Sequence, residues 1–267
     1  MRLGSITKNK YERLIMLYKT ALVGRVVSLL ILVLFLLCSD VTGATEEGLI
    51  AHWPLDGDAK DASGNGHDGV IQGAKWVDGT TGKAAEFDGG GSWMNGGRKP
   101  SLEVSPMSCM FWMRPEHDLD SKDPRFNIVY HAKGPMFSFN KTPGKGEPTG
   151  PKNTIRCWVD TIGKISKGTL FTKRNEWKAG VWYHLACTYD EKELVLYEDG
   201  QETGRTKVTG AIGPRSSEFR VAKPFAGAID EVKLYDRALS SAEIGSVVAA
   251  VSTKDKLASA WEKIKSE

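Results

Sequence analysis

From residue 48 to residue 239 the sequence is a succession of short apolar runs, interrupted by glycine, proline, aspartate or asparagine. Within the longer runs apolar side chains alternate with polar or small ones, which is the period of a half-buried strand. The clearest hairpin joins residues 182–189 to residues 193–198, and Asp199-Gly200 follows the second strand. This dipeptide adopts the positive φ angles of a type I′ turn. The rhythm predicts an all-β protein with two antiparallel sheets.

The predicted strands are spread over the whole of this region. They cover residues 49–53, 70–72, 84–87, 107–113, 126–130, 136–139, 154–159, 169–172, 182–189, 193–198, 219–221 and 228–235. Residues 141–152 contain three prolines, three glycines and three lysines, so we expect an exposed loop there. Only the segment after Ser240 has helical character. We therefore predict one domain at 45–245 and a C-terminal helical extension at 246–267.

Charge is distributed unevenly along the 267 residues. The net charge of +3 comes from residues 1–44, which hold six basic and two acidic side chains, whereas the remainder has 30 basic and 31 acidic ones. Binding to DNA or RNA requires a basic face that displaces counterions from phosphates. The near-neutral remainder therefore predicts no nucleic-acid partner.

Residues 26–38 form an apolar run preceded by basic side chains. Its 13 residues fall short of the roughly 20 that span a bilayer, but they match the hydrophobic part of a secretory signal. Thr42 and Ala44 provide small residues for cleavage after Ala44, and Met16 offers a later start. We predict that residues 1–44 are a signal peptide and that the protein is secreted, periplasmic or on the cell surface. The alternative is an uncleaved membrane anchor, which would be the only membrane contact.

Three cysteines follow the predicted signal: Cys109, Cys157 and Cys187. Each lies in an apolar, strand-like run. An oxidising compartment allows one disulfide among them, whereas a free cysteine packs as a small hydrophobic residue. The sequence leaves the pairing open, and no spacing is typical of a zinc site.

A series of short phrases occurs in a fixed order along the chain. They lie at residues 48–56, 61–66, 84–89, 111–115, 182–190, 196–200, 225–232 and 235–240. Together they resemble the concanavalin A-like, laminin-G-type jelly-roll domain of exported bacterial proteins. The resemblance implies a two-sheet sandwich in which four aromatic residues are core or corner residues: Trp53, Trp112, Trp182 and Tyr235.

Residues 56–68 read DGDAKDASGNGHD, a run of the hard oxygen donors that calcium takes as ligands. An EF-hand is excluded, because Gln72 replaces the bidentate glutamate and no helices flank the run. The family resemblance implies a structural calcium where the first and last strands meet, held by Asp61, Asn65 and Asp230. The alternative is an Asx-rich turn with a hydrogen bond at the strand end.

No catalytic arrangement is evident. Glucanases with this sandwich carry a Glu-x-Asp-x-x-Glu strand, but here Ala228 occupies the position of its first glutamate. The sequence therefore predicts a non-catalytic module that binds a glycan or an extracellular protein through its loops. Trp76, Trp93 and Trp177, beside glycine-rich loops, are the predicted ligand contacts, although each could instead cover an edge of the core.

Two alternatives to a binding module remain open. The first is a structural cell-envelope or adhesion protein that docks on another chain through residues 254–267. The second is an unrecognised glycoside hydrolase.

Overall fold

The computed structural model describes residues 46–120, 122–123, 126–139, 150–162, 167–214 and 217–252. The predicted signal peptide, most of the predicted loop at 141–152 and residues 253–267 lie outside this set. Gly48–Glu267 cluster as one compact unit, distinct from Met1–Glu47. None of the helices in the described part of the chain is long and apolar enough to cross a bilayer.

The described residues form strands, one 3₁₀ turn at Pro100–Leu102 and one α-helix, α1, at residues 241–252. The strands are β1 (Leu49–Trp53), β2 (Val70–Gln72), β3 (Lys75–Asp78), β4 (Lys83–Asp88), β5 (Trp93–Asn95), β6 (Met107–Pro115), β7 (Phe126–Tyr130), β8 (Met136–Phe139), β9 (Ile155–Asp160), β10 (Lys167–Phe171), β11 (Tyr183–Tyr189), β12 (Glu193–Glu198), β13 (Gln201–Lys207), β14 (Arg220–Lys223) and β15 (Ala226–Tyr235).

The strands make two antiparallel sheets, which confirms the predicted all-β sandwich. Sheet A has the order β13-β12-β11-β6-β15-β4-β3, and β1 pairs with β15 beyond the end of β4. Sheet B has the order β10-β9-β8-β7-β14-β5-β2. The predicted hairpin joins β11 to β12, and Asp199 and Gly200 both have positive φ.

The main core lies between the sheets, because alternate side chains of each strand point inward. It includes Trp53, Phe111 and Phe137, each no more than 1% exposed. The three cysteines also lie in this core as buried free thiols, and Cys109 is directly opposite Cys187. They therefore pack as small apolar residues.

A second, smaller core lies on the outward face of sheet A. Helix α1 covers that face with Ile244, which packs against Met110, Ala186, Val195, Tyr197 and Tyr235. Ser240 and Glu243 form a capping box: the Glu243 N–H donates to Ser240 Oγ, and the Ser240 N–H donates to Glu243 Oε2 at 2.8 Å. Because this box fixes the helix start at residue 241, α1 begins ahead of the predicted extension at 246.

Four aromatic residues were expected in core or corner positions. Trp53 lies in the main core, and Tyr235 packs beneath α1. Trp112 is also buried, on the outward face of sheet A. Trp182 is only partly buried, and the Arg114 guanidinium lies 5.0 Å from its ring centre.

Candidate functional site

The outward face of sheet B carries the side chains most suited to a ligand. Its inward face contributes one row of core residues across four adjacent strands: Val221, Val129, Phe137 and Cys157. Neighbouring positions on a strand point to opposite faces, so the flanking positions point outward. We call this surface, defined by β5, β14, β7, β8 and β9, the sheet B face.

Two rows of outward side chains cross the sheet B face in register. The first row consists of Lys223, Asn127, Ser138 and Arg156. The second consists of Asn95, Arg220, Tyr130, Met136 and Trp158.

Irregularities in two neighbouring strands place both rows on this face. On β14, Val221 and Ala222 both enter the core, and Ala222 has a φ of 59°. On β7, Ile128 and Val129 both enter the core where the register with β8 shifts. Each of these strands therefore has two consecutive inward residues, and the outward residues on either side of that pair are three positions apart in the sequence.

Cations lie over the aromatic rings of this face. Lys223 Nζ is 3.7 Å from the ring centre of Trp93, and the Arg220 guanidinium is 5.9 Å from it. Arg220 also lies 5.7 Å from the ring of Tyr130. Such contacts within about 6 Å are attractive, because the ring face is electron-rich.

The cations on the face differ in their partners. Lys223 is exposed and makes no ion pair with any described residue. Arg220 pairs with Glu218, whose Oε2 accepts from both Nε at 3.0 Å and Nη2 at 2.5 Å. The backbone N–H of Glu218 itself and this guanidinium lower the pKa of the Glu218 carboxyl, so it is ionised at neutral pH.

Two polar side chains in the first row have unused hydrogen-bonding atoms. Ser138 is 0% exposed, and its Oγ has no hydrogen-bond partner among the described residues. The same holds for Asn127 Oδ1. Both atoms are closed off from solvent, so neither is itself a contact for a ligand; of the two residues, Asn127 is half-buried and reaches the surface, whereas Ser138 does not.

Asp61, the first of the predicted calcium ligands, is engaged by hydrogen bonds within the turn. Asp61 Oδ1 accepts from the N–H groups of His52 at 3.0 Å and Ser63 at 2.9 Å, while Oδ2 accepts from Ser63 Oγ and the His67 N–H, both at 2.8 Å. Burial raises the pKa of Asp61, but these hydrogen bonds outweigh it and lower the pKa. With about four lone-pair positions in use, this carboxylate has none to spare for a cation.

Asn65 ties the turn to β1, because its Nδ2 donates to the carbonyl groups of Leu49 and Ile50, each at 3.0 Å. Residues 56–68 form an Asx-rich turn built on these hydrogen bonds and those of Asp61. In the described ranges, no three His, Cys, Asp or Glu side chains are arranged to hold a metal.

Asp230 fits a cation better. Its Oδ2 accepts from Thr80 N and Oγ1, both at 2.7 Å, whereas its buried Oδ1 has no partner among the described residues. Burial raises the pKa of Asp230 to about 6, although the hydrogen bonds from Thr80 and Thr81 lower it. The free oxygen of Asp230 is the single feature of the predicted calcium set that suits a metal ligand.

Asp230 belongs to a buried row on the outward face of sheet A. Trp112 is directly opposite both Asp230 and His184, and its ring centre lies 5.1 Å from that of the histidine. Both ring nitrogens of His184 lack partners among the described residues. Burial lowers its pKa to about 3, so His184 is neutral at physiological pH.

Comparison with known proteins agrees with this architecture. A family model, laminin G 3 of the concanavalin A-like lectin/glucanases superfamily, matches residues 88–245, more than half of the chain. The chain belongs to this superfamily. No curated protein matches it.

Solved structures of the same fold are binding domains. The binding domain of Paraclostridial Mosquitocidal Protein 1 has a TM-score of 0.60 and 17% identity, over 75% of this chain and 52% of its own. The botulinum neurotoxin serotype G binding domain gives 0.59 and 14%, over 76% and 51%. The chain thus spans about half the length of these toxin domains, and at such identities the similarity shows the fold alone.

A third structure is similar over its whole length. Domain 4 of AbnA, a GH43 extracellular arabinanase from Geobacillus stearothermophilus, was solved in complex with arabinotriose. It has a TM-score of 0.53 and 26% identity, covering 76% of this chain and 100% of that domain. This chain therefore has the fold of a binding module.

The structure places the three predicted ligand tryptophans in different environments. Trp93 lies on the sheet B face, half-buried beside Lys223. Trp76 is 38% exposed but belongs to β3, an edge strand of sheet A. Trp177 is 1% exposed, and its Nε1 donates to the Asn153 carbonyl at 2.8 Å. Trp177 is thus a core residue with no ring face for a sugar, which corrects its prediction as a contact.

Several residues of the sheet B face were not predicted from the sequence: Lys223, Arg220, Asn127, Ser138 and Tyr130. Alternation within β7 and β8 does indicate that Asn127 and Ser138 point away from the core. It does not indicate which other strands lie beside them.

Proposed function

We propose that this protein is an exported, non-catalytic carbohydrate-binding module whose glycan contact is the sheet B face. The observation that carries the proposal is the combination on one face of aromatic rings with polar side chains that reach solvent. Sugars present hydroxyl groups and apolar ring faces, so a sugar site needs both kinds of partner. Trp93 and Tyr130 supply the first, and Asn127, Arg220 and Lys223 supply the second.

One of the similar structures supports a glycan as the ligand. Domain 4 of the arabinanase, similar over its entire length, was solved with a bound trisaccharide. The identity of 26% is too low to transfer individual contacts. It favours the same class of ligand on the same type of domain.

The acids on the sheet B face support a binding role without hydrolysis. Glycoside hydrolysis uses two carboxyl groups, one of which must donate a proton. Glu218 pairs with Arg220 at 2.5 Å, and Asp160 pairs with Lys133 at 2.8 Å. The backbone N–H of Glu218 and the Arg220 guanidinium lower the pKa of the Glu218 carboxyl, which opposes a role as general acid.

A structural calcium at Asp230 forms part of the proposal. Its free Oδ1 supports a cation, whereas the engaged carboxylate of Asp61 does not. Backbone carbonyl groups and water would have to complete the shell, since calcium takes six to eight oxygens.

Affinity electrophoresis of the protein in gels containing arabinan, galactan, xylan or polygalacturonate tests the proposed function. We expect retardation by at least one polymer, a large loss of it in Trp93→Ala, and a melting temperature close to that of the wild type. Trp76→Ala is the matched control, because it removes an indole that is 38% exposed on the other sheet. Loss of binding in Trp76→Ala alone would move the site to the edge of sheet A. No retardation by any polymer would reject glycan binding in favour of a protein partner in the cell envelope.

A further inference from the structure

Lys223 is the least constrained cation of the sheet B face. Its side chain is exposed, it makes no ion pair in the described part of the chain, and its ammonium lies 3.7 Å from the Trp93 ring centre. Cation–π contact weakly restrains such a group without neutralising its charge. Lys223 therefore presents a positioned positive charge to solvent.

The contact with Lys223 limits how a sugar can stack on the Trp93 ring. A neutral sugar stacks on a bare aromatic face, but here the ammonium of Lys223 occupies one face of the indole. The ring of Tyr130 is similarly approached by Arg220 at 5.7 Å. The rings on this face thus position cations in addition to offering apolar surface.

Asn127 continues the accessible row from Lys223 across the sheet. It is directly opposite Lys223 and half-buried, whereas Ser138, directly opposite Asn127, is 0% exposed. Paired positions of this kind lie about 5 Å apart, so Lys223 and Asn127 are close enough to contact one sugar residue together.

We infer that the ligand of the sheet B face is an anionic polysaccharide and that Lys223 contacts its acidic group. Asn127, half-buried beside Lys223, then hydrogen-bonds to a hydroxyl group of the same sugar. This inference rests on the function proposed above and narrows its ligand class.

The positive charge at Lys223 is local, because the rest of the chain is nearly neutral. Beyond residue 44 the sequence has 30 basic and 31 acidic residues, so no overall positive charge attracts polyanions. Binding that depends on Lys223 therefore reports on the sheet B face rather than on the net charge of the protein.

The test compares polygalacturonate with its methyl ester, which has the same sugar backbone but no carboxylate charge. We expect the protein to bind polygalacturonate about tenfold more tightly, in keeping with one charge-assisted contact. Lys223→Met keeps the side-chain length over Trp93 and removes the charge, so it should abolish that difference. Lys223→Arg should retain it. Lys207→Met, an exposed lysine on β13 of sheet A, is the control for net charge and should bind like the wild type.

Each outcome tests either the anionic ligand and its contact with Lys223 or the proposed glycan binding itself. Equal binding of both polymers, unchanged in Lys223→Met, overturns the anionic ligand and leaves glycan binding intact. An equal loss in Lys223→Met and Lys207→Met overturns the role of Lys223, because net charge would then explain it. Failure to bind these polymers or any neutral polysaccharide overturns the proposed function itself. Preserved binding of polygalacturonate in 0.5 M NaCl would also contradict a charged contact, since roughly 1 M salt shortens the screening length to about 3 Å.

Discussion

The outward faces of the two sheets differ sharply although both belong to the same sandwich. On sheet A, α1 uses Ile244 to cover the apolar outward side chains of β6, β11 and β12, which are Met110, Ala186, Val195 and Tyr197. On sheet B the outward positions of β14, β7 and β8 hold Lys223, Asn127 and Ser138, of which Lys223 is exposed, Asn127 half-buried and Ser138 buried. A helix therefore covers part of one outward face and stabilises the fold, whereas the β14 side of the other outward face reaches solvent.

The largest expected effect comes from removing the cover of sheet A. Ile244→Ala deletes a side chain that is 0% exposed, and we expect the free energy of unfolding to fall by about 2–4 kcal/mol. Binding of polysaccharide should not change, because the ligand face is on the other sheet. Urea unfolding and affinity electrophoresis measure the two quantities.

Ser246→Ala, at an exposed position of the same helix, is the matched control and should change stability by less than about 0.5 kcal/mol. If Ile244→Ala left stability unchanged, α1 would not contribute to the folded core. If it abolished binding while the protein stayed folded, the division between the two faces would be wrong.

The strands that build both faces differ in how well the sequence predicts them. β6, β11 and β15 are long and buried, so their apolar side chains mark them clearly. β13 has a sequence of QETGRTK with no apolar side chain, because it is an edge strand whose residues are exposed or half-buried. β3 and β5 also escape prediction, although the equally short β2 is predicted from its β-branched residues Val70 and Ile71. Short or polar edge strands are recognised by their pairing, which single-sequence periodicity does not contain.

The candidate site was predictable only in part for a related reason. Trp93 is conspicuous by its residue type, and it does lie on the sheet B face. Lys223 and Asn127 are ordinary polar residues that become neighbours through the register of β14 with β7. That register depends on local irregularities at Ala222 and Ile128, which follow from packing in the core. Trp177 shows the converse, because an indole beside a glycine proved to be a core residue.

A bound calcium ion would stabilise sheet A, because its proposed ligand Asp230 lies on that sheet. At 100 times the dissociation constant, a bound ion should add about 2.7 kcal/mol to the free energy of unfolding. We expect Asp230→Asn to lose the difference between calcium and EGTA in thermal unfolding. Asp61→Asn should destabilise the protein equally with and without calcium, because Asp61 holds four donors of the turn.

A calcium effect lost in Asp61→Asn but kept in Asp230→Asn would restore the site at residues 56–68. Equal melting in calcium and EGTA for the wild type would reject the metal and leave Asp230 as a buried hydrogen-bond acceptor.

The buried row of sheet A should also respond to pH. The pKa of His184 falls from an ordinary value of 6.5 to about 3 in the folded protein, because it is buried. The unfolded chain therefore binds a proton that the folded chain does not, so the stabilising contribution is complete above pH 6.5 and is lost as the pH falls toward 3. Between pH 7 and pH 5 this loss amounts to about 2 kcal/mol.

His184→Leu should remove that part of the pH dependence, as measured by urea unfolding at pH 7 and pH 5. Asp230 acts in the opposite direction, since its raised pKa makes the folded state lose stability as the pH rises from 3.8 to about 6. Asp230→Asn should therefore steepen the fall in stability on acidification. An unchanged slope in His184→Leu would mean that the histidine is not held neutral.

The smallest expected change in stability belongs to the sheet B face. Glu218 pairs with Arg220 where the two side chains are 37% and 33% exposed, so Glu218→Gln should alter the free energy of unfolding by less than about 1 kcal/mol. Its effect on binding should be larger, because the substitution removes a negative charge beside an anionic ligand and releases Arg220 to contact it. We expect the affinity for polygalacturonate to rise about threefold, which corresponds to roughly 0.6 kcal/mol. Glu202→Gln, the control for net charge, removes one of the two carboxylate partners of Arg205 on β13 of sheet A, the other being Glu193. If both variants bind more tightly by the same factor, overall charge explains the gain; if only Glu218→Gln does, the sheet B face is where the anion binds.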